Sequence, residues 1–581
     1  MLEYDVIVVG GGHAGCEAAV AAARRGARVA LITMDAIALG RMSCNPAWGG
    51  IGKGHLVFEV QAMGGICGRA ADETGMHFRR LNRGRGPAVR GTRIQCDRAL
   101  YSSSIKRILE EFHSISIVPG EVSALDIERN RIAGVSLADG SHQRCKAIVI
   151  ASGTFLGARL YRGEEEWSGG RLHEASSDNL AHSLLNLGIQ LRRLKTGTPP
   201  RLASQGIDFS LWTPQPGNEP APGFVQHYLD RKQLLCYKSM TNEAVHEELR
   251  AGFDRSPLFT GRIAGVGPPY CPSIEDKVRR YPERSMHPLF LEPEGWVSEL
   301  WYLAGFSSSL PADVQEAALQ QIPGLSKVQI AQYAYAVEYW AIKSREMTFQ
   351  LGHPDIAGIY WAGQVCGTSG YEEAAGLGLV AGINAAGYAL DKVQWVPSPQ
   401  ESYVGVMIRD LVESEQEDPY RIFTSRAENR LVLREYNARY RMAKPAWELG
   451  LIGEEELARC VAEDKALENG TATESIPEFA EEMDARQRYQ GYINRYEMMD
   501  ERMRELWEQP LGKVDWNAIA NLSNDGYSRV KRGDPVTLGA VARLGVRYAD
   551  LLAILAYMLK SAKRGRTKPG IDNVGMNYEQ D

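Results

Sequence analysis

Residues 4–15 read YDVIVVGGGHAG, a short apolar run that leads directly into a glycine-rich turn. The β-branched run over residues 4–9 predicts a buried strand, and residues 16–25 predict a helix. A second strand is expected over residues 27–33. A strand, a GxGxxG turn, a helix and a strand together form the βαβ unit that binds dinucleotides. The chain is therefore predicted to begin with a Rossmann-like nucleotide-binding fold.

Each glycine of this turn has its own predicted task. Gly10 makes the tight turn, Gly12 lets the backbone approach a pyrophosphate, and Gly15 lets the helix pack closely on the strand. The free amide groups at the helix N-terminus attract phosphate. The predicted cofactor-binding residues of the turn are Gly10, Gly11, Gly12, His13, Ala14 and Gly15. The acidic residue expected at the end of the second strand is displaced, because Thr33 occupies that end and Asp35 follows it.

A second glycine-rich segment indicates which nucleotide is bound. Residues 358–386 read GIYWAGQVCGTSGYEEAAGLGLVAGINAA, which predicts a strand, a loop and a helix of small residues. Two-part flavin folds end in this way, with Gln364 facing the flavin and the helix N-terminus near Gly370 stabilising negative charge on it. The alternative is a buried small-residue helix with no ligand. With another predicted strand over residues 147–153, the pattern favours an FAD domain assembled from separated parts of the chain.

Composition limits the remaining possibilities. The 581 residues are 44% hydrophobic and 24% charged, as in soluble globular proteins, and no apolar run is long enough to span a bilayer. The nine cysteines are scattered without a CxxC pair, which argues against a disulfide framework or a zinc site. We therefore expect a cytoplasmic protein with no metal and no membrane partner. The net charge of −6 means that any nucleic-acid binding must come from local basic patches.

One cysteine has unusual neighbours. Residues 40–56 read GRMSCNPAWGGIGKGHL and place Cys44 just before a run of glycines and a lysine. Taken by itself, this stretch leaves three roles open for the cysteine: a nucleophile, a metal ligand or a packed side chain.

Several longer motifs cover most of residues 1–440. They are GGGHAG (10–15), SCNPAWGGIGKGHL (43–56), GPAVRGTR (86–93), LKTGTPPR (194–201), GVGPPYCPSIEDK (265–277), FLEPEG (290–295), AGQVCGTSGYEEAAGLGL (362–379) and PYRIFTSRAENRLVLRE (419–435). Together, and in this order, they resemble the motifs of the MnmG (GidA) family of tRNA-modifying flavoproteins. A sister family, the folate-dependent tRNA uracil methyltransferases, is similar in the flavin half but lacks the long C-terminal extension present here.

The resemblance implies a reaction. The family adds a carboxymethylaminomethyl or aminomethyl group to C5 of the wobble uridine in tRNA, together with a GTPase partner, MnmE. FAD, NADH and methylene-tetrahydrofolate as the one-carbon donor are the implied cofactors. A homodimer that forms a heterotetramer with the GTPase is the implied assembly. The alternatives are a folate- and FAD-dependent tRNA uracil methyltransferase, a non-catalytic FAD-bound scaffold for tRNA or the GTPase, and a simple NADH oxidase.

The resemblance also implies site residues. Cys44 and Cys271 match the family's active-site cysteines, and a thiolate suits reversible addition to C6 of uracil. We expect Lys53, Arg41 and the amides of Gly49 and Gly50 to lower the pKa of Cys44, and Lys277 to act on Cys271. Val122 and Ser177 match FAD-contact positions. The NAD-binding segment comprises Gly267, Pro268, Pro269, Tyr270, Pro272, Ser273, Ile274, Glu275, Asp276 and Lys277 around Cys271.

The domain plan follows from these placements. Residues 1–200 and 345–398 are expected to form the two-part FAD-binding domain, 201–344 an inserted α/β domain for NAD and substrate, and 399–581 a helical C-terminal domain for tRNA and the GTPase. Two short helices broken at Gly545 are predicted over residues 538–559.

RNA binding is predicted from local charge. Residues 525–570 contain ten Lys and Arg against three acidic residues, a balance of +7, and are assigned to tRNA. A second cluster, with seven arginines and one acidic residue over 79–98, suits either RNA or the FAD pyrophosphate. The chain departs from the family's pattern at Met240, residues 339–352, Asn429 and Tyr436.

Overall fold

The computed structural model describes residues 3–225, 228–268, 272–471, 477–512, 514–544, 546 and 548–564. The chain forms two compact units, residues 1–485 and residues 486–581. None of the helices in this described part combines the length and apolarity that a bilayer crossing needs.

A seven-stranded sheet forms the centre of the first unit. Its strands in spatial order are Ile115–Pro119, Val29–Thr33, Glu3–Val9, His142–Ile150, Arg131–Leu137 and Val122–Glu128, with Ile359–Trp361 paired to His142–Ile150. The first four strands are parallel, as is the pair with Ile359–Trp361, whereas the last two strands join antiparallel. The predicted Rossmann-like sheet, completed by a strand from late in the chain, is confirmed.

The helix after the glycine turn begins three residues earlier than predicted, at His13, and runs to Arg24. Gly12 is its N-cap residue, so the turn passes into the helix without an intervening loop. The late small-residue helix, Tyr371–Ala389, packs against it. A Cβ at Gly378 would lie 2.1 Å from the Ala14 carbonyl oxygen, and one at Gly382 would lie 2.3 Å from that of Ala18. Glycine is therefore required on one helix for the two backbones to approach this closely.

Three smaller sheets also belong to the first unit. A four-stranded sheet contains Glu165–Ser168, Arg159–Arg162, Tyr335–Ile342 and Leu191–Thr198. A three-stranded sheet contains Ala47–Gly49, Gly91–Cys96 and Gly75–Leu81, and a two-stranded one contains Ala221–Pro222 and Tyr228–Leu229. The remaining helices before residue 200 are Lys53–Ala62, Cys67–Thr74, Arg98–Glu110 and Asp178–Asn186.

An antiparallel sheet with its own hydrophobic core lies between residues 201 and 332, within the region predicted as an insertion. Its strands in spatial order are Thr213–Gln215, Cys236–Met240, Pro288–Pro293, Leu300–Ala304, Arg201–Ala203 and Ile330–Gln332. The helices of this region are Glu243–Ala251, Ile274–Arg280 and Ala312–Gln320, and their buried residues share the core with the sheet.

Helices are the main regular structure of the described residues after 399. They are Tyr403–Glu413, Ala438–Glu448, Glu454–Glu468, Pro477–Glu505, Asn524–Gly533, Leu538–Arg543 and Tyr548–Arg564. The last two are the predicted pair of helices, and Gly545 itself lies outside the described residues. The second unit has a separate apolar core that includes Val530, Leu538, Ile554 and Leu555. The predicted fold class is confirmed, including the helical C-terminal part.

Candidate functional site

A cavity of about 470 Å³ lies at the carboxyl ends of the parallel strands. This is the edge at which doubly wound sheets bind their ligands. Its lining comes from separated parts of the sequence: the glycine turn 10–14, residues 33–35, 120–122 and 151–155, the Cys44 segment, and residues 362–374. The topology thus brings the two glycine-rich segments and Cys44 to one cavity.

The glycine turn fits a dinucleotide. Gly10 has a φ of +105°, and a Cβ there would lie 2.4 Å from the Ala151 carbonyl oxygen. A Cβ at Gly15 would lie 1.8 Å from the Gly10 carbonyl oxygen. At Gly12, by contrast, a Cβ would meet no atom of the described residues within 4 Å beyond the neighbouring backbone, at the N-terminus of a helix that has no side-chain cap there. Two glycines are therefore required by the fold, while Gly12 leaves room for a phosphate beside free amide groups.

Buried polar groups line the same end of the cavity. Ser152 Oγ and His13 Nε2 are buried and have no hydrogen-bond partner within the described residues. Burial, reinforced by the Arg171 charge, lowers the pKa of His13 to about 3, so its imidazole is neutral. Glu174 links two arginines, accepting from Arg41 at 2.8 Å and from Arg171 at 2.9 Å. A polar lining that presents guanidinium and hydroxyl groups suits the pyrophosphate and sugars of FAD.

The other predicted flavin contacts also line this cavity. Val122 is buried at the start of its strand. Ser177 is buried, and its backbone N–H donates to the Phe155 carbonyl at 2.8 Å. The Gln364 amide donates to the Tyr339 hydroxyl at 3.1 Å. Tyr339 is the first residue of the segment 339–352, in which a departure from the family's pattern is expected, and it contacts the predicted flavin-facing residue directly.

Cys44 lines the cavity with a half-buried thiol. Its Sγ lies 2.9 Å from the Tyr302 hydroxyl, and its backbone N–H donates to the Tyr371 hydroxyl at 2.7 Å. Arg201 is fully buried and donates to the Ser43 carbonyl at 2.9 Å and to the Cys44 carbonyl at 3.4 Å. Burial lowers the pKa of Arg201, but the Glu294 carboxylate, Tyr302 and Cys44 together outweigh burial, and the pKa lies above its usual range. The Cys44 loop is therefore held on three sides.

The groups expected to act on the Cys44 thiol have other partners. Lys53 pairs with Glu372 at 2.6 Å, and the Gly49 N–H donates to the same carboxylate at 2.7 Å. Arg41 pairs with Glu174 and Asp35, and the Gly50 N–H donates to the Thr92 carbonyl at 2.8 Å. Instead, the Tyr302 hydroxyl contacts the Cys44 thiol, and Arg201 donates to the backbone carbonyl of Cys44. The motif 194–201 includes Arg201, but its sequence did not predict that Arg201 binds the Cys44 loop. The sequence around Tyr302 did not predict a functional role for Tyr302.

The predicted NAD segment divides between cavity and core. Pro268, Pro272 and Lys277 line the cavity. Ser273, Ile274 and Glu275 are buried, Glu275 accepts from both the Ser309 N–H and its hydroxyl at 2.9 Å, and Asp276 pairs with Arg280 at 2.9 Å. A Cβ at Gly267 would lie 3.2 Å from Lys195 Cδ. Pro269, Tyr270 and Cys271 lie outside the described residues.

Four of the seven arginines in the 79–98 cluster form ion pairs within the protein. Arg80 pairs with Glu435 at 2.8 Å, Arg90 with Glu481 at 3.4 Å, Arg93 with Glu292 at 2.7 Å, and Arg98 with Glu294 at 3.4 Å. Much of the positive charge that suggested a nucleic-acid surface is therefore neutralised by acidic residues from elsewhere in the chain. Arg93 also lines the cavity.

Comparison with known proteins supports the same assignment. The family model described as glucose inhibited division protein A matches residues 5–393. The tRNA uridine 5-carboxymethylaminomethyl modification enzyme MnmG of Caldicellulosiruptor saccharolyticus is 39% identical, over 97% of this chain and 99% of that enzyme. Aquifex aeolicus GidA, solved in two crystal forms, is 36% and 37% identical, with TM-scores of 0.82 and 0.84, over 96% of this chain and 98% and 100% of the GidA chains. The chain therefore belongs to the MnmG (GidA) family of flavin-dependent tRNA uridine modification enzymes.

Proposed function

We propose that this protein adds a carboxymethylaminomethyl or aminomethyl group to C5 of the wobble uridine of tRNA, using FAD, methylene-tetrahydrofolate and NADH. The observation that carries this proposal is that Cys44 lines the same cavity as the glycine turn and Gln364. A nucleophile and a nucleotide-binding turn thus open onto one space. The activity for which the Caldicellulosiruptor saccharolyticus relative is named supports uridine as the base and C5 as the position of the modification.

FAD would be held by the glycine turn, Ser152, Ser177, Val122 and Gln364, all of which line the cavity. When bound, FAD supplies redox chemistry and carriage of the one-carbon unit. The protein's own contribution is positional: the helix that begins at His13 directs free amides at phosphate, and the close packing of that helix on Tyr371–Ala389 fixes Gln364 relative to the turn.

Cys44 would activate the uracil. Its thiolate adds to C6, forming an S–C6 bond while the C5=C6 electron pair moves toward the C4 carbonyl oxygen, which makes C5 nucleophilic. After C5 has gained its substituent, loss of the C5 proton and breakage of the S–C6 bond restore the double bond and the thiolate. Cys271 is proposed as the second thiol of this site.

NADH would occupy the segment 267–277. Support comes from Pro268, Pro272 and Lys277, which reach the cavity, and from the helix Ile274–Arg280, which anchors the segment through Glu275. The tRNA and the GTPase partner MnmE are proposed to use the helical C-terminal part. A homodimer that forms a heterotetramer with the GTPase remains the proposed assembly.

Mass spectrometry of nucleosides tests the proposal. Unmodified tRNA is incubated with the protein, FAD, methylene-tetrahydrofolate, NADH, the GTPase with GTP, and either ammonium or glycine. Aminomethyl uridine with ammonium and carboxymethylaminomethyl uridine with glycine are the expected products. A 5-methyluridine product would instead indicate the tRNA uracil methyltransferase, and no modified nucleoside in any mixture would indicate a scaffold or an NADH oxidase.

A further inference from the structure

The phenol of Tyr302 and the thiol of Cys44 lie side by side in the lining of the cavity. Tyr302 belongs to the strand Leu300–Ala304, which lies between two other strands of the six-stranded sheet. Its side chain is 3% exposed, and its hydroxyl oxygen lies 2.9 Å from Cys44 Sγ. The two residues are 258 positions apart in the chain, so their contact is made by the tertiary fold and is not local in sequence.

The direction of this hydrogen bond follows from acidity. A cysteine thiol ordinarily titrates near pH 8.5 and a tyrosine phenol near pH 10, so the thiol gives up its proton first (about 1.5 units lower). Once Cys44 is a thiolate, it can only accept, and the Tyr302 hydroxyl must donate. A hydrogen bond to the charged form of a group favours that form.

Arg201 reinforces the arrangement. Its guanidinium carbon lies 5.0 Å from the centroid of the Tyr302 ring, and its nitrogens donate to the carbonyls of Ser43 and Cys44. A cation beside a phenol ring makes the hydroxyl a better donor, and the same charge attracts a thiolate. Among the described residues, the phenols of Tyr371 and Tyr335 also face Cys44, and Glu294 lies behind Arg201.

We propose that Tyr302 is a positioning residue that donates its phenol hydrogen to the Cys44 thiolate, which directs the sulfur at the cavity and favours its ionised form. This inference rests on the proposed function of Cys44 as the nucleophile. It assigns to Tyr302 a role in setting thiol reactivity that acts through Cys44.

Alkylation of the full-length protein tests the proposal without tRNA or folate. The rate at which iodoacetamide labels the Cys44 peptide is followed by mass spectrometry between pH 5 and pH 10, on the wild type and on Tyr302→Phe. We expect the midpoint of the profile to move upward by about one pH unit in Tyr302→Phe. Labelling at neutral pH should fall by up to about tenfold, because the thiolate is the reactive form.

Tyr237→Phe is the matched control. Tyr237 lies on the same sheet, with its ring 4.9 Å from that of Phe209, so this variant removes a phenol from the sheet away from Cys44 and should leave the profile unchanged. An unchanged profile in Tyr302→Phe, or an equal shift in Tyr237→Phe, would overturn the role of Tyr302.

The two proposals can fail separately. If Tyr302→Phe shifts the profile while Cys44→Ser still modifies tRNA at the wild-type rate, Tyr302 controls the thiol but the thiol is not the nucleophile, and the proposed function of Cys44 is overturned. If Cys44→Ser abolishes modification and the Tyr302→Phe profile is unchanged, the nucleophile stands and the positioning role is overturned.

Discussion

The ammonium group of Lys53 lies 2.6 Å from the Glu372 carboxylate, which joins the segment after Cys44 to the first turn of the helix Tyr371–Ala389. Glu373 lies 3.4 Å from the same ammonium group. The carboxylates of Glu372 and Glu373 are almost completely buried, and the Lys53 side chain is 12% exposed. The single ammonium group of Lys53 thus pairs with two buried carboxylates beside the cavity.

Replacing Lys53 with Met should therefore destabilise the protein strongly. Removal of one partner of a buried ion pair leaves uncompensated charge, which costs about 3–5 kcal/mol. Urea unfolding of the FAD-free protein measures the change, and Lys53→Arg is the control because it keeps the charge. A Lys53→Met variant as stable as Lys53→Arg would show that the carboxylates do not need this cation.

Gly12→Val should remove FAD without unfolding the protein. Apart from the neighbouring backbone, no atom of the described residues lies within 4 Å of a Cβ at Gly12, so the valine fits the fold and fills the space left for phosphate. The flavin absorbance of the purified protein should fall at least tenfold, which needs a penalty of only about 1.4 kcal/mol. Gly15→Ala is the contrasting variant, because its Cβ would lie 1.8 Å from the Gly10 oxygen and should disrupt folding itself. Full flavin absorbance in Gly12→Val would exclude the turn as the phosphate site.

Cys44→Ser should abolish base modification while FAD binding and NADH oxidation remain. A serine hydroxyl is a much weaker nucleophile near neutral pH, and loss of a covalent nucleophile lowers the rate by at least about 10³-fold. Nucleoside mass spectrometry measures the product, and flavin absorbance controls for folding. The same substitution at Cys271 tests the second proposed thiol. If both variants modify tRNA at the wild-type rate, neither cysteine is the nucleophile.

The sequence predicted features that depend on local chemistry. The glycine turn, the parallel strands around it and the small-residue helix all carry their signals within a few residues, and Gly378 and Gly382 mark a close helix contact in any fold of this type. The surroundings of Cys44 were not predictable in the same way. Lys53 and Glu372 are 319 residues apart, so a basic residue near Cys44 in sequence gave no sign that its charge was already balanced.

Acid should destabilise the protein partly through His55. This side chain is fully buried, and burial, together with the charges of Arg441 and Arg80, lowers its pKa to about 3. Between pH 6.5 and pH 3 the unfolded chain binds a proton at this position that the folded chain does not. The contribution of neutral His55 to the free energy of unfolding is therefore fully present above about pH 6.5. It falls as the pH decreases, by up to about 1.4 kcal/mol per pH unit.

His55→Leu removes this contribution. The melting temperature of the variant should depend less on pH between pH 6.5 and pH 4 than that of the wild type, whatever its value at neutral pH. His113→Leu controls for loss of an imidazole from the exposed surface. Parallel curves for wild type and His55→Leu would show that the buried imidazole does not contribute to the acid sensitivity.

Salt dependence should locate the tRNA contacts in the second unit. Lys531 and Arg532 are exposed in the last turn of the helix Asn524–Gly533, within the segment whose sequence balance is +7. Each lysine or arginine that contacts a phosphate contributes slightly less than one to the slope of log affinity against log salt concentration. Lys531→Ala with Arg532→Ala should therefore weaken tRNA binding and reduce that slope by about two, or about 1.4 if the contacts are to single strands. Filter binding at several salt concentrations measures both quantities.

The control is Arg28→Ala with Lys444→Ala, which removes two exposed charges from the first unit. An unchanged slope in the first variant and a reduced slope in the control would place the RNA contacts on the first unit instead.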